Sequence, residues 1–127
     1  MSIEFIHQEL IVTLHRMQIE HFGGSYGLRD EGALQSAIGR PLNKAAYGEK
    51  DVIVLASAYL FGLAKNHPFI DGNKRIAIVT AGVFLELNGL SLNTSDVNLY
   101  NFVMGIAAGE IDEEGATRFI RDFTVPL

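Results

Sequence analysis

The sequence predicts an all-α domain of about six helices. Three observations carry that reading. Apolar residues recur at helical spacing along nearly the whole chain, capping residues or glycines bracket most of those runs, and only three prolines, at 41, 68 and 126, punctuate 127 residues. No repeat, low-complexity tract or linker divides the chain, and its length suits one domain covering residues 1–127.

The elements follow in order. Residues 7–22 place Leu10, Leu14 and Met17 at helical spacing, with Ile11 and Phe22 less regular, and Gly23-Gly24 stops the helix. After the loop Ser25–Arg29, Asp30 is a good N-cap for a helix carrying Leu34, Ala37 and Ile38, expected to end before Pro41. Asp51 caps a third helix over 52–65 that is apolar on almost every face, the mark of a central, buried element. A loop from His67 to Gly72 leads into a fourth helix over 73–88, with Ile76, Val79, Val83 and Leu87 expected inward and Gly89 as its stop. Residues 90–92 suit a short extended piece. Thr94 or Ser95 caps a fifth helix to about Ala108 (Leu99, Phe102, Val103, Ile106 inward), and Asp112 caps a sixth carrying Ala116, Phe119, Ile120 and Phe123.

Composition narrows the function classes. The formal charge of −5 speaks against a general nucleic-acid binder, which needs a basic patch. The chain has no cysteine, so disulfides and cysteine–zinc sites are excluded. No basic stretch followed by an apolar run opens the sequence, and the longest apolar run is far too short for a bilayer. The expectation is a cytoplasmic protein without membrane or direct nucleic-acid partners.

The chemistry concentrates in residues 67–75, His-Pro-Phe-Ile-Asp-Gly-Asn-Lys-Arg. A nucleotide phosphate site needs this set. His67 can take a proton from a hydroxyl. Asp71 offers oxygen to a divalent cation such as Mg²⁺. Gly72 lets backbone N–H groups approach an anion, and Asn73 stands where a helix N-terminus would attract one. Lys74 and Arg75 can neutralise a transferring phosphate. Each has a plainer reading: His67 as a cation at a helix C-terminus, Asp71 as a cap or turn residue, Lys74 and Arg75 as solvated charges. Two cations in a helix's first turn oppose its dipole, however, and a local rule broken without structural gain points to function. Phe69 reads as an anchor for the loop. His7, His15 and His21 are not spaced for a metal. Arg29 and Asp30 read as a loop charge and a cap, and Arg118 and Arg121 as solvated. No Gly-rich Walker loop is present, which excludes a standard P-loop kinase.

The string from His67 to Asn73 resembles the core motif of the Fic/Doc superfamily, and the chain is most similar to its Doc (death-on-curing) branch. The total length, Gly23-Gly24 with Gly27-Leu28-Arg29-Asp30, Asn88-Gly89 and Ala108-Gly109-Glu110-Ile111 extend the resemblance along nearly the whole chain. Adenylyl-transferring Fic enzymes carry a second glycine after the asparagine and a second arginine three residues beyond the first. Here Lys74 and Ile78 stand in those places, as in Doc. The resemblance implies a Fic fold and the toxin half of a toxin–antitoxin pair. It implies ATP with Mg²⁺, ATP bound in the reversed sense and donating its γ-phosphate, and a threonine of elongation factor Tu as acceptor, so that translation stops. His67 would be the base, Asp71 the metal ligand, Gly72 and Asn73 the phosphate cradle, and Lys74 and Arg75 the charge stabilisers. Gly72-Asn73 keeps AMP transfer as an alternative, and an idle antitoxin-binding module is a third reading. Many Fic proteins silence themselves with a Ser/Thr-x-x-x-Glu-Gly/Asn helix. Neither Glu31-Gly32 nor Glu114-Gly115 has Ser or Thr four residues ahead of the glutamate, so a separate, Phd-like antitoxin is expected to cover the groove, on an apolar stripe left exposed near helix one or two.

Overall fold

The computed structural model describes residues 2–127. Its order is α1 (Gln8–Phe22), α2 (Glu31–Ala46), α3 (Val52–Asn66), α4 (Asn73–Leu87), β1 (Leu90–Leu92), α5 (Asp96–Ala107), α6 (Glu113–Phe123) and β2 (Thr124–Pro126). The all-α expectation holds. α3 is the centre and packs against α2, α4, α5 and α6. Leu55, Tyr59, Leu60 and Leu63 of α3 are fully buried, as a helix apolar on all faces must be. Asp30, Asp51, Ser95 and Asp112 each accept a backbone N–H at the start of α2, α3, α5 and α6, so these helices begin where the sequence says.

Four expectations need correction. α2 does not stop before Pro41; the proline is buried within the helix, which runs to Ala46. An interior proline costs about 3 kcal/mol. Arg40 and Lys44, on either side of it, both pair with Glu113 of α6 and brace the helix around the proline. In α1 the buried face is Ile11, His15 and Ile19, whereas Leu10 and Met17 are 39% and 54% exposed. A histidine occupies the centre of the true inner face, so hydrophobicity alone favours the wrong one. In α4 the buried residues are Ile76, Ala77, Thr80, Ala81, Phe84 and Leu85, while Leu87 is exposed. Small residues let α4 lie close to its neighbours, and small residues give a weak periodic signal. Finally, Arg121 is not free in solvent, because its guanidinium lies 2.7 Å from an Asp51 oxygen.

β1 forms at 90–92 as expected, and its partner β2 carries no comparable sequence signal. The two pair antiparallel, Leu90 opposite Pro126 and Leu92 opposite Thr124. Pro126 sits on an edge strand, where its missing N–H is harmless.

Candidate active site

The loop between α3 and α4 is shaped by the segment 24–30. The backbone N–H groups of Arg29 and Asp30 both donate to the Pro68 carbonyl, and the Ile70 N–H donates to Gly27. Leu28 and Phe69 form an isolated antiparallel bridge. The Arg29 side chain then reaches the end of α3, where its Nε donates to the His67 carbonyl at 2.6 Å and an Nη to the Asn66 carbonyl at 2.9 Å. These carbonyls are among those that a helix C-terminus leaves without partners. Arg29 is therefore a clamp rather than a loop charge, and the clamp holds a strained residue. His67 has φ 48° and ψ 56°, and it is the one non-glycine with positive φ among the described residues. A left-handed side-chain-bearing residue costs about 1–2 kcal/mol, and such residues concentrate at functional positions.

Phe69 is buried, as the anchor reading requires, and the loop closes on it from two sides. The Asn73 side chain accepts the Phe69 N–H and donates to the Phe69 carbonyl, both at 2.9 Å. That pair of bonds fixes the amide against the loop and leaves one of its two N–H groups, with the backbone N–H, to meet an anion. On the other face, the His15 ring stacks on Phe69 with centroids 3.8 Å apart, and its Nε2 lies 2.7 Å from the Asp71 carbonyl.

Asp71 stands exposed at the end of the loop. Its Oδ1 accepts the Gly72 N–H at 2.8 Å, and its Oδ2 accepts the Ser25 N–H at 3.2 Å. The chain at Gly24 passes so close that a Cβ there would sit 2.6 Å from Asp71 Oδ2, with φ at +117° besides, which only glycine allows. Gly72 begins α4, and no side chain caps that helix. Its first turn carries Lys74 and Arg75. The Arg75 guanidinium rests on the Phe22 ring, 4.4 Å from the centroid.

Asp71, Gly72, Asn73, Lys74 and Arg75 line one side of a cleft of about 450 Å³, and Gln18, Asp96 and Tyr100 add polar groups across it. His67 does not line that cleft. It sits at the opposite end of the same loop, exposed. Its pKa is lowered from the ordinary imidazole value, first by partial desolvation and then by the charges of Lys74, Arg29 and Lys65. A lowered pKa leaves the ring neutral at pH 7, the form that accepts a proton.

Among the described residues no three His, Cys, Asp or Glu side chains converge as a metal cage. Mg²⁺ is commonly held by one or two carboxylates completed by substrate phosphates and water. Asp71 fits that pattern, since each of its oxygens accepts one N–H and keeps a lone pair.

Three positions hold roles in the site that the sequence reading does not assign. Arg29 gave no signal of its own beyond lying in a glycine-rich stretch. His15 could have been found, because 11, 15 and 19 are spaced by four and make a continuous inner face. Phe22 reads as a helix-end apolar residue, and its role against Arg75 depends on a contact more than fifty residues along the chain.

Fold and loop together define a small α-helical domain with a histidine-bearing loop between two central helices and an uncapped helix start beside it. The chain belongs to the Fic/DOC family, whose profile matches residues 5–85. It is 34% identical over 117 residues to "Protein kinase doc" of Escherichia phage P1, covering 91% of this chain and 92% of that protein. It is 38% identical over 92 residues to "Toxin Doc" of Mycolicibacterium smegmatis, covering 70% of this chain and 68% of that protein.

Proposed function

We propose that this chain is a Doc-type toxin that transfers the γ-phosphoryl group of ATP to a hydroxyl of a protein. The observation that carries this reading is the pairing of a neutral, exposed His67 with a cationic, uncapped helix start at the other end of one braced loop. His67 takes the proton as the acceptor oxygen bonds to phosphorus. The bond from the γ-phosphorus to its bridging oxygen breaks, and ADP leaves. Lys74, Arg75 and the first-turn N–H groups of α4 offset the charge that builds on the phosphoryl oxygens. Asp71 would hold Mg²⁺, whose charge adds to that stabilisation. The name of the phage relative supports kinase chemistry.

The acceptor this reading expects is a threonine of elongation factor Tu in the cytoplasm, and the outcome is arrested translation. A Phd-like antitoxin is the expected partner. Leu10 and Met17 leave an exposed apolar face on α1, the kind of surface a folding tail covers, and Tyr26 and Leu28 are further exposed apolar residues in the loop after it.

The test is intact mass of the acceptor after incubation with ATP labelled at either the α- or the γ-phosphate. The expected gain is about 80 Da with the γ-label retained, against about 329 Da for AMP transfer. Lys74→Gly with Ile78→Arg should weaken phosphoryl transfer by restoring the pattern that presents the α-phosphate. Attachment of the α-label by the unaltered protein replaces this reading with AMP transfer. Absence of any gain leaves the chain as a binding module.

A further inference from the structure

We infer that His15 is a positioning residue that fixes the Asp71 carboxylate through the Asp71–Gly72 peptide. His15 is 2% exposed, and its Nε2 lies 2.7 Å from the Asp71 carbonyl oxygen. An oxygen there only accepts, so Nε2 carries the hydrogen and donates it. The other end of the same peptide is the Gly72 N–H, which donates to Asp71 Oδ1 at 2.8 Å. One planar group thus has its carbonyl held by α1 and its N–H held by the carboxylate of the residue before it.

The weak point is Gly72. Its φ is +74°, and glycine accepts the opposite sign about as readily. The Asp71–Gly72 peptide can therefore turn over between two turn conformations at small cost. Turning it over carries the N–H away from Asp71 Oδ1 and releases the side chain, leaving Oδ2 with only the longer Ser25 contact of 3.2 Å. The His15 hydrogen bond opposes that rotation, and the stack on Phe69 fixes the ring that supplies it. Ile19 closes the space beneath: a Cβ on Gly72 would come within 3.3 Å of Ile19 Cδ1 and 3.5 Å of His15 Nε2. The inner face of α1 is thereby a template for the loop. The metal consequence rests on the phosphoryl-transfer reading; the peptide geometry does not.

Three measurements test this. Long-range ¹H–¹⁵N NMR of the unaltered protein should find the hydrogen on His15 Nε2; a bare Nε2 overturns the proposal, whatever the variants do. Amide exchange at Gly72 comes next. His15→Phe keeps the ring and the stack but loses the donor, and should raise the exchange rate at least about tenfold. His15→Gln, whose amide can donate from a similar place, should restore slow exchange. Equal exchange in all three proteins overturns the proposal, and if His15→Phe fails to fold the tautomer decides. The third measurement is calorimetric titration of Mg²⁺ in the presence of a non-hydrolysable ATP analogue. Loss of an outer partner of a metal ligand typically weakens binding about 10- to 100-fold, which is the loss expected for His15→Phe, with His15→Gln close to the unaltered protein. A Gly72 response without any change in Mg²⁺ affinity keeps the His15 tie to the peptide and overturns its effect on metal binding at Asp71.

Discussion

Five helix starts besides α1 can be compared, and four are alike. α2, α3, α5 and α6 each begin with an Asp or Ser side chain accepting a backbone N–H. α4 begins with Gly72, has no side-chain cap and no acidic residue in its first turn, and carries Lys74 and Arg75 there instead. The chain that caps these four helices leaves α4, like α1, without a side-chain cap, and α4 alone of the two puts Lys74 and Arg75 in that first turn, inside the cleft and next to a loop braced by α1 and residues 24–30. Stability explains the four starts; the fifth is the one that the proposed reaction assigns to an anion arriving from outside.

The largest expected effect breaks the comparison at its chemical end. His67→Ala should lower transfer about 10²–10⁴-fold with helicity by circular dichroism unchanged, and growth inhibition on expression should disappear. A soluble, folded His67→Ala protein with full activity would remove the base from the mechanism and leave the open helix start without a partner.

Arg29→Ala comes next. It frees the carbonyls of Asn66 and His67 and lets the left-handed residue relax. Transfer should fall about tenfold or more through misplacement of the imidazole. Stability in urea should drop by about 1 kcal/mol. A transfer rate equal to that of the unaltered protein would show that the clamp serves the fold alone.

Lys74→Met separates charge from position. Lys74 is one of the cations that lower the His67 pKa, after desolvation. Removing it moves that pKa up toward the ordinary value, so the ring protonates at higher pH. The acid limb of the pH–rate profile should shift upward, and NMR titration of the His67 ring should shift the same way. An unmoved limb would mean that Lys74 does not sense the imidazole.

The smallest effect belongs to an ordinary cap. Asp112→Ala should cost about 1 kcal/mol of stability in urea denaturation and leave transfer per folded molecule unchanged. A fall in transfer there would erase the distinction between the capped starts and α4.

The helix starts were the most legible part of the chain, because Asp30, Asp51 and Asp112 declare themselves by residue type and position. So did the loop 67–75, whose residue types are chemically dense. Apolar patterning alone picks the wrong inward face of α1, although the spacing of 11, 15 and 19 by four allows the right one. Leu10, Leu14 and Met17 make the better apolar stripe on paper, yet Ile11, His15 and Ile19 are buried because His15 has a carbonyl to meet on the motif loop. Pro41 misled for a related reason: its helix is held by Glu113, far along the chain. Signals local in sequence were visible, and those settled by a distant partner were not.

The distance between His15 and Asp71 has a consequence during synthesis. Fifty-six residues separate the two ends of that hydrogen bond. At about 5–20 residues per second, α1 waits roughly 3–11 s for the loop it shapes. The α5 wall of the cleft, with Leu99, Tyr100 and Val103, arrives later still. A chain still on the ribosome therefore holds an unfinished cleft, and the apolar face of α1 is open before any cleft exists. A partner that binds that face can meet the nascent chain before its chemistry is assembled.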